Sequence, residues 1–150
     1  MLHKKQVDKF TMHLDLSDGG ISSVLYSVGI REKAFMSLLQ KNVKEGDVCV
    51  DLGSNIGYTT LFMLDSVGQD GQVYAIEPDA HNVNILSLNI KENNYSDLAL
   101  IEQCAISDFD GTIDFWIASK PNLNSVKKTK HSIRKEEVPC FTLTSYLEDK

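Results

Sequence analysis

Residues 51–57, Asp-Leu-Gly-Ser-Asn-Ile-Gly, end an apolar run with an acid and then a glycine turn. In a parallel α/β unit this pattern carries a nucleotide-like ligand from the end of a strand to the start of a helix. Gly53 and Gly57 lack the Cβ that would hold a ligand off the backbone, and the next helix offers free N–H groups and a positive dipole end. A dinucleotide turn reads Gly-x-Gly-x-x-Gly and brings three glycines against a pyrophosphate. Here Asp51 stands two residues before Gly53, and the last glycine comes one residue early. A pyrophosphate repels an acid at that place, whereas the ammonium of an amino-acid ligand attracts one. The spacing therefore favours S-adenosylmethionine over a nicotinamide dinucleotide. Glu77 follows 24 residues beyond Gly53, in Ala75-Ile76-Glu77-Pro78, where an acid at a strand's carboxyl edge can accept both ribose hydroxyls. Cys104-Ala105 closes a third apolar run with a small residue that leaves its backbone open to an adenine edge.

These residues need strands and helices to bring them together, and the spacing predicts them in alternation. A strand over 48–52, a helix over 57–66, a strand over 72–77, a helix over 80–92 and a strand over 98–104 imply right-handed crossovers and a parallel sheet covered on both faces. Ahead of them, Phe10, Met12, Leu14 and Leu16 alternate with polar residues, and Ser17-Asp18-Gly19-Gly20 then turns into Ile21–Tyr26, which predicts an amino-terminal β-hairpin. Residues 31–43 place Ala34, Phe35, Leu38, Leu39 and Val43 on one helical stripe. After Ser107 the pattern returns to hairpin style, with Asp108-Phe109-Asp110-Gly111 turning into Thr112–Ala118. Phe115 and Trp116 are expected in the core of that strand. Residues 120–135 carry six Lys or Arg and no acid and read as a loop, solvated or serving as a lid for an anionic acceptor. A short strand over 138–141 and a helix from Leu143 follow. The expected division is an arm over residues 1–30 and a partial cofactor-binding domain over 31–150, one domain overall. Only the first half of a doubly wound sheet is expected, because strands beyond the third are needed to complete it.

A hydrophobic content of 42% and a charged content of 24% fit a globular chain. The net charge of −6 argues against general nucleic-acid binding. No run reaches the roughly 18 apolar residues of a membrane span, and the first ten residues have no apolar leader core, so a cytoplasmic protein is expected. Cys49, Cys104 and Cys140 are odd in number and widely spaced, which favours free thiols over a disulfide, and no metal set is expected. His81 is expected in the first turn of a helix, and His3 and His13 in the arm. His131 is a candidate base only as a titratable group in a loop.

Residues 46–60, Gly-Asp-Val-Cys-Val-Asp-Leu-Gly-Ser-Asn-Ile-Gly-Tyr-Thr-Thr, together with Ala75-Ile76-Glu77-Pro78-Asp79 and Ala105-Ile106-Ser107-Asp108, resemble class I S-adenosylmethionine-dependent methyltransferases of the FkbM type. Gly29-Ile30-Arg31-Glu32 and Thr142-Leu143-Thr144-Ser145-Tyr146-Leu147 are also similar to that family, which substitutes Asn for the middle glycine as Asn55 does here. The resemblance implies a Rossmann-like sheet. It also implies that Asp51, Gly53, Ser54, Asn55 and Gly57 surround the methionine end of the cofactor, that Glu77 binds the ribose, and that Pro78, Cys104 and Ala105 border the adenine. Tyr58 and Thr59 either line the site or cap the helix. Glu32 either lies near the pocket, as the resemblance implies, or pairs with a helix dipole. The implied reaction is methyl transfer to a hydroxyl of a sugar or other small molecule, with no base identified among these residues. In that family the last helix is usually followed by a strand bearing Asp-x-Glu-Gly, which lies outside these 150 residues. The alternatives are a non-catalytic or partner-completed half-domain, self-associating through an exposed sheet edge, and a nicotinamide-dependent oxidoreductase.

Overall fold

The computed structural model describes residues 1–118, 120 and 123–148, without the side chain of Asp18. At the centre, β3 (Val48–Leu52), β4 (Gln72–Ile76) and β5 (Ala99–Glu102) form a parallel sheet in the order β3-β4-β5. Val48 pairs with Gln72 and Val73 with Ala99. The crossovers are α3 (Tyr58–Val67) and α4 (Ala80–Glu92), and the alternation expected over residues 48–102 is present. β4 reads as an apolar run because both its faces are covered. Val73 and Ala75 pack with Leu64, Val67, Leu86 and Ile90 of the two helices, while Tyr74 and Ile76 pack with Cys104 and Tyr146 on the other side. β3 lies at one edge, and Val48 is 66% exposed.

The amino-terminal hairpin is present, but with different strands from those expected. β1 (Leu2–Val7) pairs antiparallel with β2 (Phe10–Asp15), and the chain turns at Asp8-Lys9. β1 carries Lys4 and Lys5 and only Val7 is buried, as befits an edge strand that pairs through its backbone, so it lacks the alternation that signals a strand. Ile21–Val28, expected as the second strand, is helix α1. Ser22 and Leu25 face inward three residues apart, and Gly29 at φ +76° ends the helix by donating its N–H to the Leu25 carbonyl at 2.9 Å. In α2 (Lys33–Asn42) the buried residues are Met36 and Leu39. Phe35 and Leu38, placed on the expected stripe, are about half exposed, because the helix is rotated to pack Met36 beside Leu25 and Phe62.

The hairpin is docked on α4. Asn93 accepts from the Thr11 N–H at 3.0 Å and donates to the Thr11 carbonyl at 2.8 Å, and Asn89, one turn earlier, does the same for His13 at 2.6 and 3.3 Å. Two side chains thus stand in for a neighbouring strand. Phe10 meets Phe62 edge-on at 5.0 Å, and both belong to a core that also holds Met12, Leu14 and Ile85.

A second, mixed sheet follows. Gln103 and Cys104 lead from β5 into β6 (Ala105–Ser107), which pairs parallel with β8 (Ser132–Thr142), and β8 pairs antiparallel with β7 (Gly111–Ala118). The turn at 108–111 therefore does not fold β7 back on β6, since β8 lies between them. The basic stretch expected as a loop contributes residues 132–135 to β8. Those residues are mostly exposed, and Arg134 and Lys135 pair with Glu136 and Asp114, so the ladder with β7 forms without apolar alternation. Residues 121 and 122 of the expected loop lie outside the described residues. Helix α5 (Leu143–Glu148) buries Tyr146.

Candidate functional site

The turn after β3 is held from three sides. The N–H groups of Gly53 and Ser54 both donate to the Ile76 carbonyl, at 2.9 and 3.0 Å, which fixes the turn on the end of β4. Gly53 and Gly57 have φ of +78° and +89°, and Asn55 adopts the left-handed conformation at +51° with its side-chain oxygen accepting from the Ile56 N–H. The Asn55 N–H donates to Glu77 Oε2 at 2.8 Å. Glu77 Oε1 accepts from the Asp79 N–H at 2.9 Å and from Asn82 at 3.3 Å. This carboxylate is 5% exposed, and burial raises its pKa against the opposing effect of these bonds. Asp51 is also buried. Its Oδ2 accepts from the Thr60 hydroxyl at 2.6 Å, and burial raises its pKa too. Asn89 reaches the turn from below, donating to the Ile56 carbonyl at 2.7 Å.

Two clefts meet at Gly53, the first with more polar side chains along it than the second. One, of about 240 Å³, is lined by Arg31, Glu32, Ser54, Asn55, Tyr58 and Thr59, with Ile21 at its side. The other, of about 340 Å³, is lined chiefly by Ile76, Pro78, Cys104, Ala105, Phe115 and Val126. A Cβ added to Gly53 would meet no atom within 4 Å, so a side chain there would enter open space. Gly57 differs, because a Cβ there would lie 2.6 Å from Leu86 Cδ1. The outer wall of the apolar cleft is fastened by Asn124, which donates to Asp79 Oδ2 at 2.6 Å and accepts from the Ala118 N–H at 2.8 Å. Asp79 also caps α4 through the His81 N–H. Among the described residues, no group of three or more His, Cys, Asp or Glu is placed to share a metal ion.

An acid-ended strand, a left-handed Asn in the glycine turn and an acid at the end of the neighbouring strand coincide with a sequence match. The FkbM methyltransferase domain matches residues 51–150. The chain belongs to that family. Among solved structures, the complex of aTrm5 and tRNALeu is similar to it in fold, with a TM-score of 0.54 at 20% identity over 73% of this chain and 30% of that one. Methanocaldococcus jannaschii Trm5 with adenosine gives 0.51 at 19%, over 68% and 30%. A Thermotoga maritima SAM-dependent O-methyltransferase gives 0.49 at 20%, over 57% and 36%. This chain thus spans about a third of the length of these structures. No curated protein matches it.

In this FkbM-family chain, Gly53, Ser54, Asn55, Tyr58 and Thr59 line the polar cleft, and Gly53, Pro78, Cys104 and Ala105 line the apolar one. Asp51, Gly57 and Glu77 line neither. Asp51 and Glu77 brace the turn, and Gly57 admits Leu86 of α4. Tyr58 is buried and its hydroxyl lies 3.1 Å from the Arg31 nitrogen and 3.2 Å from the Arg31 carbonyl, so the tyrosine both lines the cleft and ties in the segment before α2. Glu32 precedes α2 and lines the polar cleft; its carboxylate pairs with Arg31 Nε at 2.7 Å and makes no capping bond to the helix. Arg31 lines the polar cleft and Phe115 and Asn124 the apolar one, and none of the three is marked by the motif. Arg31 carries no spacing signal of its own, Phe115 has the pattern of a core strand residue, which it also is, and Asn124 that of a loop. His131 is exposed and lines neither cleft; His81 contacts Asp15 at 3.0 Å and His13 contacts Glu92 at 3.1 Å. Cys49, Cys104 and Cys140 are free thiols.

Proposed function

We propose that the chain binds S-adenosylmethionine across the two clefts and serves O-methylation of a sugar-like or other small-molecule hydroxyl. The observation that carries this reading is the meeting of the two clefts over the unobstructed Cα of Gly53. The polar cleft suits the amino-acid end of the cofactor. The apolar cleft suits adenine, with Pro78, Cys104 and Ala105 along it, and the ribose falls at the junction of the two clefts. When bound, the cofactor supplies a methyl group already activated on sulfur for in-line displacement. The residues of this chain hold and orient it: Glu77 keeps the Asn55 turn in its left-handed form, Asp51 and Thr60 fix the strand end behind it, and the Asn124 bridge keeps the apolar wall closed. Orientation of this kind accounts for about 7–11 kcal/mol of barrier lowering in well-aligned reactions.

In this reading residues 31–150 carry the cofactor part and residues 1–30 the arm. The acceptor is a neutral or phosphorylated small molecule, not nucleic acid in general, in keeping with the net charge of −6. The cytoplasm is the proposed location, in keeping with three free thiols; no described helix is long and apolar enough to cross a membrane. A second reading, a cofactor-binding unit that needs further polypeptide for transfer, is favoured by the exposed outer edge of β3. Calorimetric titration with S-adenosylhomocysteine and with NADH tests the cofactor. Binding of the homocysteine compound alone is expected, and binding of NADH alone would refute it. Methyl transfer from labelled cofactor to pooled sugars then separates the two readings, since tight binding without transfer supports the second.

A further inference from the structure

We infer that the loop joining β7 to β8 anchors the phosphate of a phosphorylated sugar acceptor, through Lys127, Lys128 and Lys130 beside Trp116. This deepens the acceptor reading above and rests on it. Charge is unevenly spread along the chain. Residues 120–135 hold six of its 15 Lys and Arg and none of its 21 Asp and Glu, which leaves nine cations against 21 acids, a net charge of −12, on the rest. Arg134 and Lys135 are neutralised by Glu136 and Asp114 on the strands. Lys127, Lys128 and Lys130 are exposed and, among the described residues, have no ion-pair partner.

The backbone under these lysines is tied down. Trp116 and Ser125 exchange N–H···O bonds at 2.7 and 3.0 Å, the Ser125 hydroxyl accepts from the Lys127 N–H at 3.1 Å, and the Ser132 hydroxyl accepts from the Thr129 N–H at 2.9 Å. Asn124, Ser125 and Val126 of the same loop line the apolar cleft, so Lys127 and Lys128 stand at its rim. Lys128 Nζ lies 5.1 Å from the centre of the Trp116 ring. An exposed cation–π contact is weak, whereas an ammonium–phosphate bond is charge-assisted, so a phosphate draws Lys128 off the ring. The indole face so freed suits the C–H side of a sugar. A long polyanion would be repelled by the −12 on the rest of the chain, but one or two phosphates fit within the basic rim.

Trp116 is the one tryptophan of the chain, so its fluorescence reports on the Lys128 contact. The wild-type chain is titrated with glucose, glucose 1-phosphate and UDP-glucose, the last two separating a free sugar phosphate from a nucleotide-linked sugar. At least one phosphorylated probe is expected to give a saturable change, at least about 10-fold tighter than glucose and weakened by added salt. Calorimetry then compares two triple variants. Lys127→Gln, Lys128→Gln, Lys130→Gln together should weaken that probe about 10-fold or more and leave S-adenosylhomocysteine within twofold, which also shows that the variant is folded. The same charge change at exposed sites elsewhere, Lys41→Gln, Lys44→Gln, Lys91→Gln, should leave the probe within about twofold. The inference is overturned, with the cofactor reading intact, if neither phosphorylated probe binds, if glucose binds as tightly, if the loop variant is unaffected or also loses S-adenosylhomocysteine, or if the control loses as much. A wild type that binds a phosphorylated probe but not S-adenosylhomocysteine overturns the cofactor reading, and the acceptor role of the loop with it.

Discussion

Gly53 and Gly57 belong to one turn and have nearly the same φ, yet the structure separates their roles, and alanine at each should fail differently. Both substitutions force an L-residue into the left-handed region, which costs about 1–2 kcal/mol. At Gly53 that is the whole cost, because the new methyl meets no atom within 4 Å. At Gly57 the methyl lies 2.6 Å from Leu86 Cδ1, and Leu86 is fully buried, so overpacking adds about 1–3 kcal/mol. Urea unfolding should therefore place Gly57→Ala about 1–3 kcal/mol below Gly53→Ala. Binding should follow the opposite order: Gly53→Ala loses S-adenosylhomocysteine affinity by at least about 100-fold because its methyl occupies the junction of the clefts, whereas Gly57→Ala, where it remains folded, loses less. Leu86→Val removes the opposing δ-methyl, so combined with Gly57→Ala it should recover about 1–2 kcal/mol beyond additivity in a double-mutant cycle. Equal stabilities for the two alanine variants, or strict additivity in the cycle, would refute the assignment of Gly57 to helix packing.

Three further outcomes are expected. Burial raises the pKa of Glu77 above its ordinary 4.5, so its contribution to stability is full below that value and is lost as pH rises through the folded pKa; urea midpoints from pH 4 upward should fall more steeply for the wild type than for Glu77→Gln, and equal slopes would contradict the burial argument. Asn124→Ala removes the bonds to Asp79 and to the Ala118 N–H, so calorimetry should show S-adenosylhomocysteine binding about 1–2 kcal/mol weaker, and an unchanged affinity would mean the wall stands without them. The exposed edge of β3 should make the chain associate as concentration rises in sedimentation experiments, and Val48→Lys should reduce this; a monodisperse wild type at high concentration would count against it.

What the sequence discloses is uneven, for physical reasons. The run from Val48 to Glu92 is legible because each strand is apolar, each helix is periodic, and glycines punctuate the first turn. The arm is not. Ile21, Val24, Tyr26 and Val28 favour strands as isolated residues, yet inward-facing Ser22 and Leu25 and the Gly29 cap make that segment a helix. Leu2–Val7 and the first half of β8 form strands through backbone pairing with little burial, so they carry no alternation to detect. In the site, motif spacing finds the residues of the turn but cannot distinguish those that face a cleft, such as Ser54, from those that brace it, such as Asp51 and Glu77. Arg31 is held at the cleft by a contact no local pattern shows, between its backbone and the Tyr58 hydroxyl 27 residues later.

The asparagine pair on α4 couples the first fifteen residues to the glycine turn. One amide, that of Asn89, grips His13 in the hairpin and Ile56 in the glycine turn at once. Trimming the arm to obtain a shorter recombinant product would leave that amide without His13 and disturb the bend at Ile56 with no change made there.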